Sequence, residues 1–395
     1  MPPSSIPRAH VRRAHFLTRR GRRASLAAFV AACAVLALGA AGAQAAPFIA
    51  GFTPTTLAST VPTNGDLNPY GIVTVPNSVG LLHRGDLLIS NFNNSTPPTG
   101  EQGTGTTIVQ IPPGDADQTA GDAPVFAHIN PAEIPGGEVG LTTALAVTRS
   151  GFVIVGSLPT SDGTSATAKA GALIVLNSYG KVVGTISGGP INGPWDMTAV
   201  DHGFYTTLYV TNVLNGTVAA DTGGPSVPGN VVDGGTVVRI QLRTIPGVRP
   251  VVLSEDVIAT GFPERTDPNA LVIGPTGVAL APNGTLFVAD TQGNRIAAIP
   301  DAPFRVSPIR HGGLTVSSGQ DLNGPLGMTL APNGDILTAN GDDGNVVETT
   351  ELGTQVAEVA ADPSAGDLFG LTVSPRVDSV FYVDDGTNTL NVLAP

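Results

Sequence analysis

The chain has 395 residues, of which 50 are Gly and 34 are Pro, with charged residues at 13% and aromatics at 5%. Gly and Pro cost a helix interior about 1 and 3 kcal/mol relative to Ala, which excludes a helical bundle or coiled coil. A hydrophobic share of 41% without a G-X-Y period excludes collagen and outright disorder, and leaves a turn-rich all-β protein of many short strands.

The first 45 positions carry seven basic residues (Arg8, Arg12, Arg13, Arg19, Arg20, Arg22 and Arg23), all ahead of an apolar run from Ser25 to about Gly42. No Asp or Glu occurs before Asp66. This order predicts a secretory signal over residues 1–45, ending in the A-x-A cleavage site Ala43-Gln44-Ala45, and a protein exported to the periplasm or the cell exterior. The pairs Arg19-Arg20 and Arg22-Arg23 suggest twin-arginine export, although the usual Phe-Leu after the pair is missing. An Ala-rich run that is slightly short for spanning argues against a permanent membrane anchor. Cys33, the single cysteine, lies within the run. Read as a lipobox, Val30-Ala31-Ala32-Cys33 would make a lipoprotein; cleavage after Ala45 would leave no thiol, hence no disulfide, cysteine nucleophile or thiolate ligand. Without the leader, 12 basic residues face 31 acidic ones, a net charge of −19. Such a surface repels nucleic acid and anionic membrane.

From residue 46 onward the chain repeats itself. The clearest unit runs from Pro275-Thr276-Gly277-Val278 through the turn Pro282-Asn283-Gly284 to Asp290, and recurs from Pro325-Leu326-Gly327-Met328 to Asn340. A third copy runs from Phe369-Gly370-Leu371 to Asp384, and looser copies begin at Pro69-Tyr70-Gly71, Thr142-Thr143-Ala144 and Pro194-Trp195-Asp196. Each copy reads as an inner strand, a tight hairpin turn and a second strand ending in Asp or Asn, then a third strand and a weaker fourth. Six such units, the shortest spaced by about 45 residues, predict a six-bladed β-propeller over residues 46–395 with four-stranded blades, the longer spacings being loop insertions. The sixth copy stops after its third strand, at Leu390–Leu393. The segment from Phe48 to Leu57 is therefore expected to supply the missing outer strand and close the ring. A third strand of Thr236–Ile240 and a short fourth over Pro250–Leu253 are expected in blade three.

These units resemble the NHL-type repeat, the copy from Pro275 to Ile296 fitting nearly throughout, including Asp290, Asn294, Arg295 and Ile296. That resemblance implies a six-bladed propeller and leaves function open, because the fold hosts binding modules and several unrelated enzymes. The repeats are also distantly similar to the gluconolactonase and senescence-marker propellers, which hold a divalent metal with Glu, Asn and Asp in the turns entering the inner strands. The matching positions here are Tyr70, Thr143, Trp195, Thr276, Leu326 and Phe369, without a carboxylate or amide among them. Metal-assisted lactone hydrolysis is thus disfavoured. Amidating-lyase and streptogramin-lyase relatives rely on histidines. Here His83 and His202 fall in hairpins of the opposite face, and His128 and His311 near outer strands. No G-x-S-x-G and no Walker A motif is present.

The candidate ligand site is the propeller mouth: an apolar ring of Tyr70, Trp195, Leu326 and Phe369, with Asp196 as the one charged residue at a marker position otherwise Gly or Ala. The ring would serve equally as core packing, and Asp196 would equally hold a turn. The long loops Phe92–Gly105, Leu158–Gly171 and Val213–Gly235, rich in small residues, are expected to be mobile and to cover one side of the mouth. Asp342, Asp343, Asp384 and Asp385 on the same face suit at most a weak Ca²⁺ loop, and Asx turns account for them without metal. No cofactor and no catalytic residue is otherwise expected. The reading is an exported monomeric binding or scaffolding protein for a small ligand, glycan or protein. Its alternative is a hydrolase or lyase built near Asp196, with or without a divalent metal.

Overall fold

A computed structural model describes residues 46–94, 102–114, 119–215, 228–364 and 366–395. The leader, its cleavage site and Cys33 lie outside the described residues. Pro47–Pro395 form one compact unit, and no helix among the described residues is long and apolar enough to cross a membrane.

Six antiparallel sheets follow one another around a ring, each running from an innermost strand outward. The innermost strands are Asp66–Thr74, Leu145–Val147, Pro194–Asp201, Pro275–Leu280, Pro325–Leu330 and Leu368–Val373. Each opens at the repeat unit read from the sequence or within three residues of it. Apart from two single 3-10 turns, Pro131–Glu133 and Ser165–Thr167, the described residues form strands, turns and loops.

The ring closes through its two ends. Thr53–Ser59 pairs antiparallel with the last strand, Thr389–Ala394, and becomes the outer strand of blade six. The expected closure is present, shifted a few residues along the chain. Phe48 and Ile49 do not join the strand. Their backbone N–H groups donate to the two carboxylate oxygens of Glu348 in blade five, at 2.8 and 2.9 Å, and Ile49 enters the core there.

Adjacent blades meet without room for a side chain at the repeat glycines. A Cβ at Gly370 would stand 2.0 Å from the Tyr70 carbonyl oxygen, and one at Gly277 2.3 Å from that of Leu326. The glycines at these markers are therefore seams between blades, and the blade-six marker abuts blade one.

Blade three departs from expectation. Its third strand spans Val232–Arg243, and its fourth is the 17-residue Val251–Asp267, far longer than Pro250–Leu253. A fifth short strand, Leu271–Ile273, turns back on the end of the fourth. Gly261 and Pro263 read as a strand terminus because Pro withholds a ladder donor and Gly weakens a strand. The chain absorbs them through register shifts, with Gly261 at φ +82° and Phe262 opposite Gly235. This long hairpin accounts for the widest repeat spacing and carries new residues to the mouth.

Candidate functional site at the propeller mouth

All six inner-strand positions singled out above, Tyr70, Thr143, Trp195, Thr276, Leu326 and Phe369, line one cavity of about 480 Å³ at the mouth. The size suits a small ligand. Its floor is aromatic. Tyr70 is 1% exposed and Trp195 6%. Their rings meet edge to face with centroids 6.1 Å apart, and the Trp195 Nε1–H donates to the Tyr70 hydroxyl oxygen at 3.1 Å. Phe369, half-buried, lies 5.3 Å from the Tyr70 ring and 5.9 Å from that of Phe92. Within the ring Tyr70 and Trp195 are packed, while Phe369 and Leu326 keep part of their surface open.

Of the long loops, that of blade one lines the cavity through Phe92, Asn93 and Gln102; residues 95–101 and 216–227 of the loops lie outside the described residues, and the described parts are packed and hydrogen-bonded. Leu158, Ala168, Val213 and Leu214 are buried with Tyr70 and Trp195 in a single cluster that includes Leu271 and Val272 of the blade-three hairpin. Ser165 Oγ donates to the Leu271 carbonyl at 2.6 Å, fastening the blade-two loop to that hairpin. Gln102 donates to the Asn269 carbonyl from the blade-one loop.

Polar groups stand around this floor. Asp267, Asn269, Asn93, Gln102, Asp342 and Asp385 all line the cavity. Asp267 is paired with Arg265 and accepts the Asn269 N–H at 2.8 Å, so its charge is spent on the hairpin. Asp385 has no such cation. Burial, more than the nearby Asp367 and Asp384 charges, pushes its carboxyl up to about 7, and Asn68 offsets only part of this. Asp267 and Asn269 escaped the sequence reading because they belong to no repeat position. Asp385 was visible there only as one of a pair of acidic residues.

Asp196 is not at the mouth. It lines a separate cavity of about 180 Å³ in the central channel, together with residues of the inner strands such as Val147, Met197 and Leu371. Tyr70 is the one residue shared by the two linings. Asp196 Oδ1 accepts the Met197 N–H at 2.7 Å, and its own N–H donates to Thr211 Oγ1 at 3.0 Å. Burial pushes this carboxyl, too, up to about 7, against the pull of the Met197 N–H. Its charge and, above all, burial hold the Tyr70 hydroxyl well above its ordinary value.

The acidic candidates divide. Asp343 closes an Asx turn, its Oδ1 accepting the Asn345 N–H at 3.0 Å. Asp384 Oδ1 accepts the Thr387 N–H at 2.9 Å. Asp342 faces the mouth. Among the described residues no three His, Cys, Asp or Glu side chains converge closely enough to hold a metal ion by themselves. The six mouth positions do not fit the Glu/Asn/Asp metal set of the gluconolactonase propellers, since Tyr, Thr, Trp, Leu and Phe stand there. None of His83, His128, His202 and His311 lines either cavity.

No protein-family model matches the chain, and no curated protein sequence does. Solved structures do match. A gluconolactonase from Xanthomonas campestris aligns over 89% of this chain and 92% of its own, at 15% identity and a TM-score of 0.53. A luciferin-regenerating enzyme aligns over 87% and 96%, at 10% identity and a TM-score of 0.53. Likeness at this identity shows the fold, a six-bladed propeller.

Proposed function

We propose that the chain is an exported binding or scaffolding protein whose mouth cavity takes a small ligand, a glycan being the class that fits it best. The observation that carries this reading is an aromatic floor ringed by carboxylates and amides. The C–H face of a sugar packs against Phe369, while Asp342 and Asn269 are placed to take its hydroxyls. A floor held by the Trp195–Tyr70 hydrogen bond is pre-organised, so little ordering entropy opposes binding. A glycan array followed by calorimetry on the hits tests the reading, with Phe369→Ala and Asp342→Ala expected to weaken binding about tenfold or more. Absence of any small-molecule or glycan ligand would remove it.

A second reading, a hydrolase or lyase, rests on Asp385. A carboxyl with a pKa of about 7 in the cavity wall can give and take a proton near neutrality. Asp196, the residue favoured for that role from sequence, stands below the Tyr70 floor and out of the mouth. Turnover of lactones, glycosides or phosphoesters, abolished by Asp385→Asn, would replace the binding reading with this one.

A further inference from the structure

The face opposite the mouth is built from the turns that join the first strand to the second, and the third to the fourth, in each blade. In blades two and three these turns hold large apolar side chains out in solvent. Tyr179 is 60% exposed, Phe204 61%, Tyr205 55% and Val248 52%, with Ile245 beside them. The turns are fastened to one another. The Thr244 N–H donates to the Phe204 carbonyl at 2.8 Å and the Thr206 and Thr244 hydroxyls meet at 3.0 Å, joining the two turns of blade three. Asp201 ties blade three to blade two by accepting the Arg149 N–H at 2.5 Å. The Tyr179 N–H donates to Asn177 Oδ1 at 2.9 Å in an Asx turn, and the adjacent Ser178 carbonyl accepts the N–H of Leu81, an exposed residue of blade one, at 2.8 Å. The rings thus project from hydrogen-bonded backbone, where they contribute little to the core, and a contiguous apolar patch of this kind marks an interaction surface.

The same turns are basic in an acidic protein. Four of the 12 basic residues after position 45, Arg149, Lys181, Arg243 and Arg249, lie in them or border them, against one carboxylate, Asp201. All four are exposed, and none forms an ion pair among the described residues. Asp201 is half-buried, and its two oxygens take the Arg149 and Gly203 N–H groups. The equivalent turns of blade five carry Asp335 and Glu351 and no basic residue. The acidic excess therefore lies elsewhere on the molecule, and charges more than about 8–10 Å from this face are screened by physiological salt.

We propose that the far face of blades two and three docks on a phospholipid surface bearing anionic headgroups. Tyr179, Phe204 and Tyr205 take the headgroup level, Val248 and Ile245 reach the acyl boundary, and the four basic side chains meet the phosphates. Apolar contact alone would suit a second copy of the chain, and the charges decide against it. A two-fold interface sets the patch against itself, with Arg and Lys facing Arg and Lys and too few carboxylates to offset them. The contact is peripheral and nothing crosses the bilayer. It leaves the mouth, at the opposite ends of the strands, open to ligand.

The test is co-sedimentation with lipid vesicles of the chain cleaved after Ala45, since the apolar leader would itself bind lipid and Pro47–Pro395 form one compact unit. The vesicles are phosphatidylcholine alone, or with about 30% phosphatidylglycerol. Binding is expected to the anionic vesicles, falling steeply between about 0.05 and 0.5 M salt, and little to phosphatidylcholine alone. Phe204→Ser with Tyr205→Ser, and separately Arg243→Gln with Arg249→Gln, are each expected to weaken binding about tenfold or more at unchanged Tm. Val231→Ser, 52% exposed but on the mouth side, should bind as the parent does. If the Phe204 and Tyr205 pair fails to fold, Tyr179→Ser is read in its place. No binding to anionic vesicles, or undiminished binding by both paired variants, overturns the proposal. Dimerisation that is lost with Phe204→Ser and Tyr205→Ser, without vesicle binding, would overturn it in favour of a second copy.

Discussion

The indole N–H of Trp195 donates to the hydroxyl oxygen of Tyr70 at 3.1 Å, joining blade three to blade one across 125 residues. This bond lies in the floor of the mouth cavity, and Tyr70 forms the boundary with the channel that holds Asp196. Tyr70→Phe is therefore expected to leave a buried indole N–H unsatisfied and to cost about 1–3 kcal/mol in chemical denaturation. The same change should weaken any mouth ligand, since the floor loses its fixed geometry. An unaltered denaturation midpoint would show that the bond adds nothing to stability.

Asp196 sets a pH dependence of the opposite sense to the usual carboxylate. Its folded pKa of about 7 lies above an unfolded value of about 4, so the folded chain binds the extra proton between these limits. The stability from this group is whole below about pH 4 and declines as pH rises toward 7. Asp196→Asn, which keeps an acceptor for the Met197 N–H, should flatten that decline and stabilise the protein at pH 8 by on the order of 2 kcal/mol. Midpoints measured from pH 4 to 8 for both proteins decide the matter.

Asp385 gives a matching prediction for binding. With its carboxyl at about 7, a ligand that accepts a hydrogen bond from it should bind more weakly as pH rises from 6 to 8, and a cationic ligand more tightly. Asp385→Asn should abolish either trend in calorimetry. A slope that persists in the variant would assign it to another group.

The blade seam allows a steric test. Gly370→Ala places a methyl group 2.0 Å from the Tyr70 carbonyl oxygen, where backbone and not a flexible side chain must yield. A loss of about 2–4 kcal/mol is expected, against less than 1 kcal/mol for Gly→Ala at an open strand position. Equal effects at Gly370 and at an open site would count against the seam.

Glu348 holds the ring closure from outside the strand ladder. Its buried carboxylate accepts the Phe48 and Ile49 N–H groups and the Asn333 side-chain amide, the last at 2.8 Å. Glu348→Ala should release residues 46–52 and expose the chain before Thr53 to protease, with a loss of about 2–3 kcal/mol. Limited proteolysis read by mass would show cleavage near Phe48 in the variant and not in the parent.

Much of this architecture was legible in the linear chain because a propeller repeats. Each blade places the same register position at the mouth, so Tyr70, Thr143, Trp195, Thr276, Leu326 and Phe369 could be drawn together from the repeats and their resemblance to other propellers, and all six line the cavity. The blade-three hairpin was not legible, since Gly261 and Pro263 carry the local marks of a strand end and only pairing with the preceding strand overrides them. The packing of the long loops was equally hidden, because their buried residues, Leu158, Ala168 and Val213, find partners in other blades.

The sequence by itself determined the number of blades, the order of strands and the closing of the ring by its first segment, all of which follow from repeated local patterns. The tertiary structure alone decided which groups share a site. Trp195 and Asp196 are neighbours in the chain yet line different cavities, one the mouth and the other the channel, with Tyr70 at their boundary. Asp385 lies beside Asp367, whose carbonyl accepts the Asp385 N–H at 2.7 Å, although the two are 18 residues apart and belong to no shared motif. Such groupings depend on contacts between segments distant in the chain, and no local pattern encodes them.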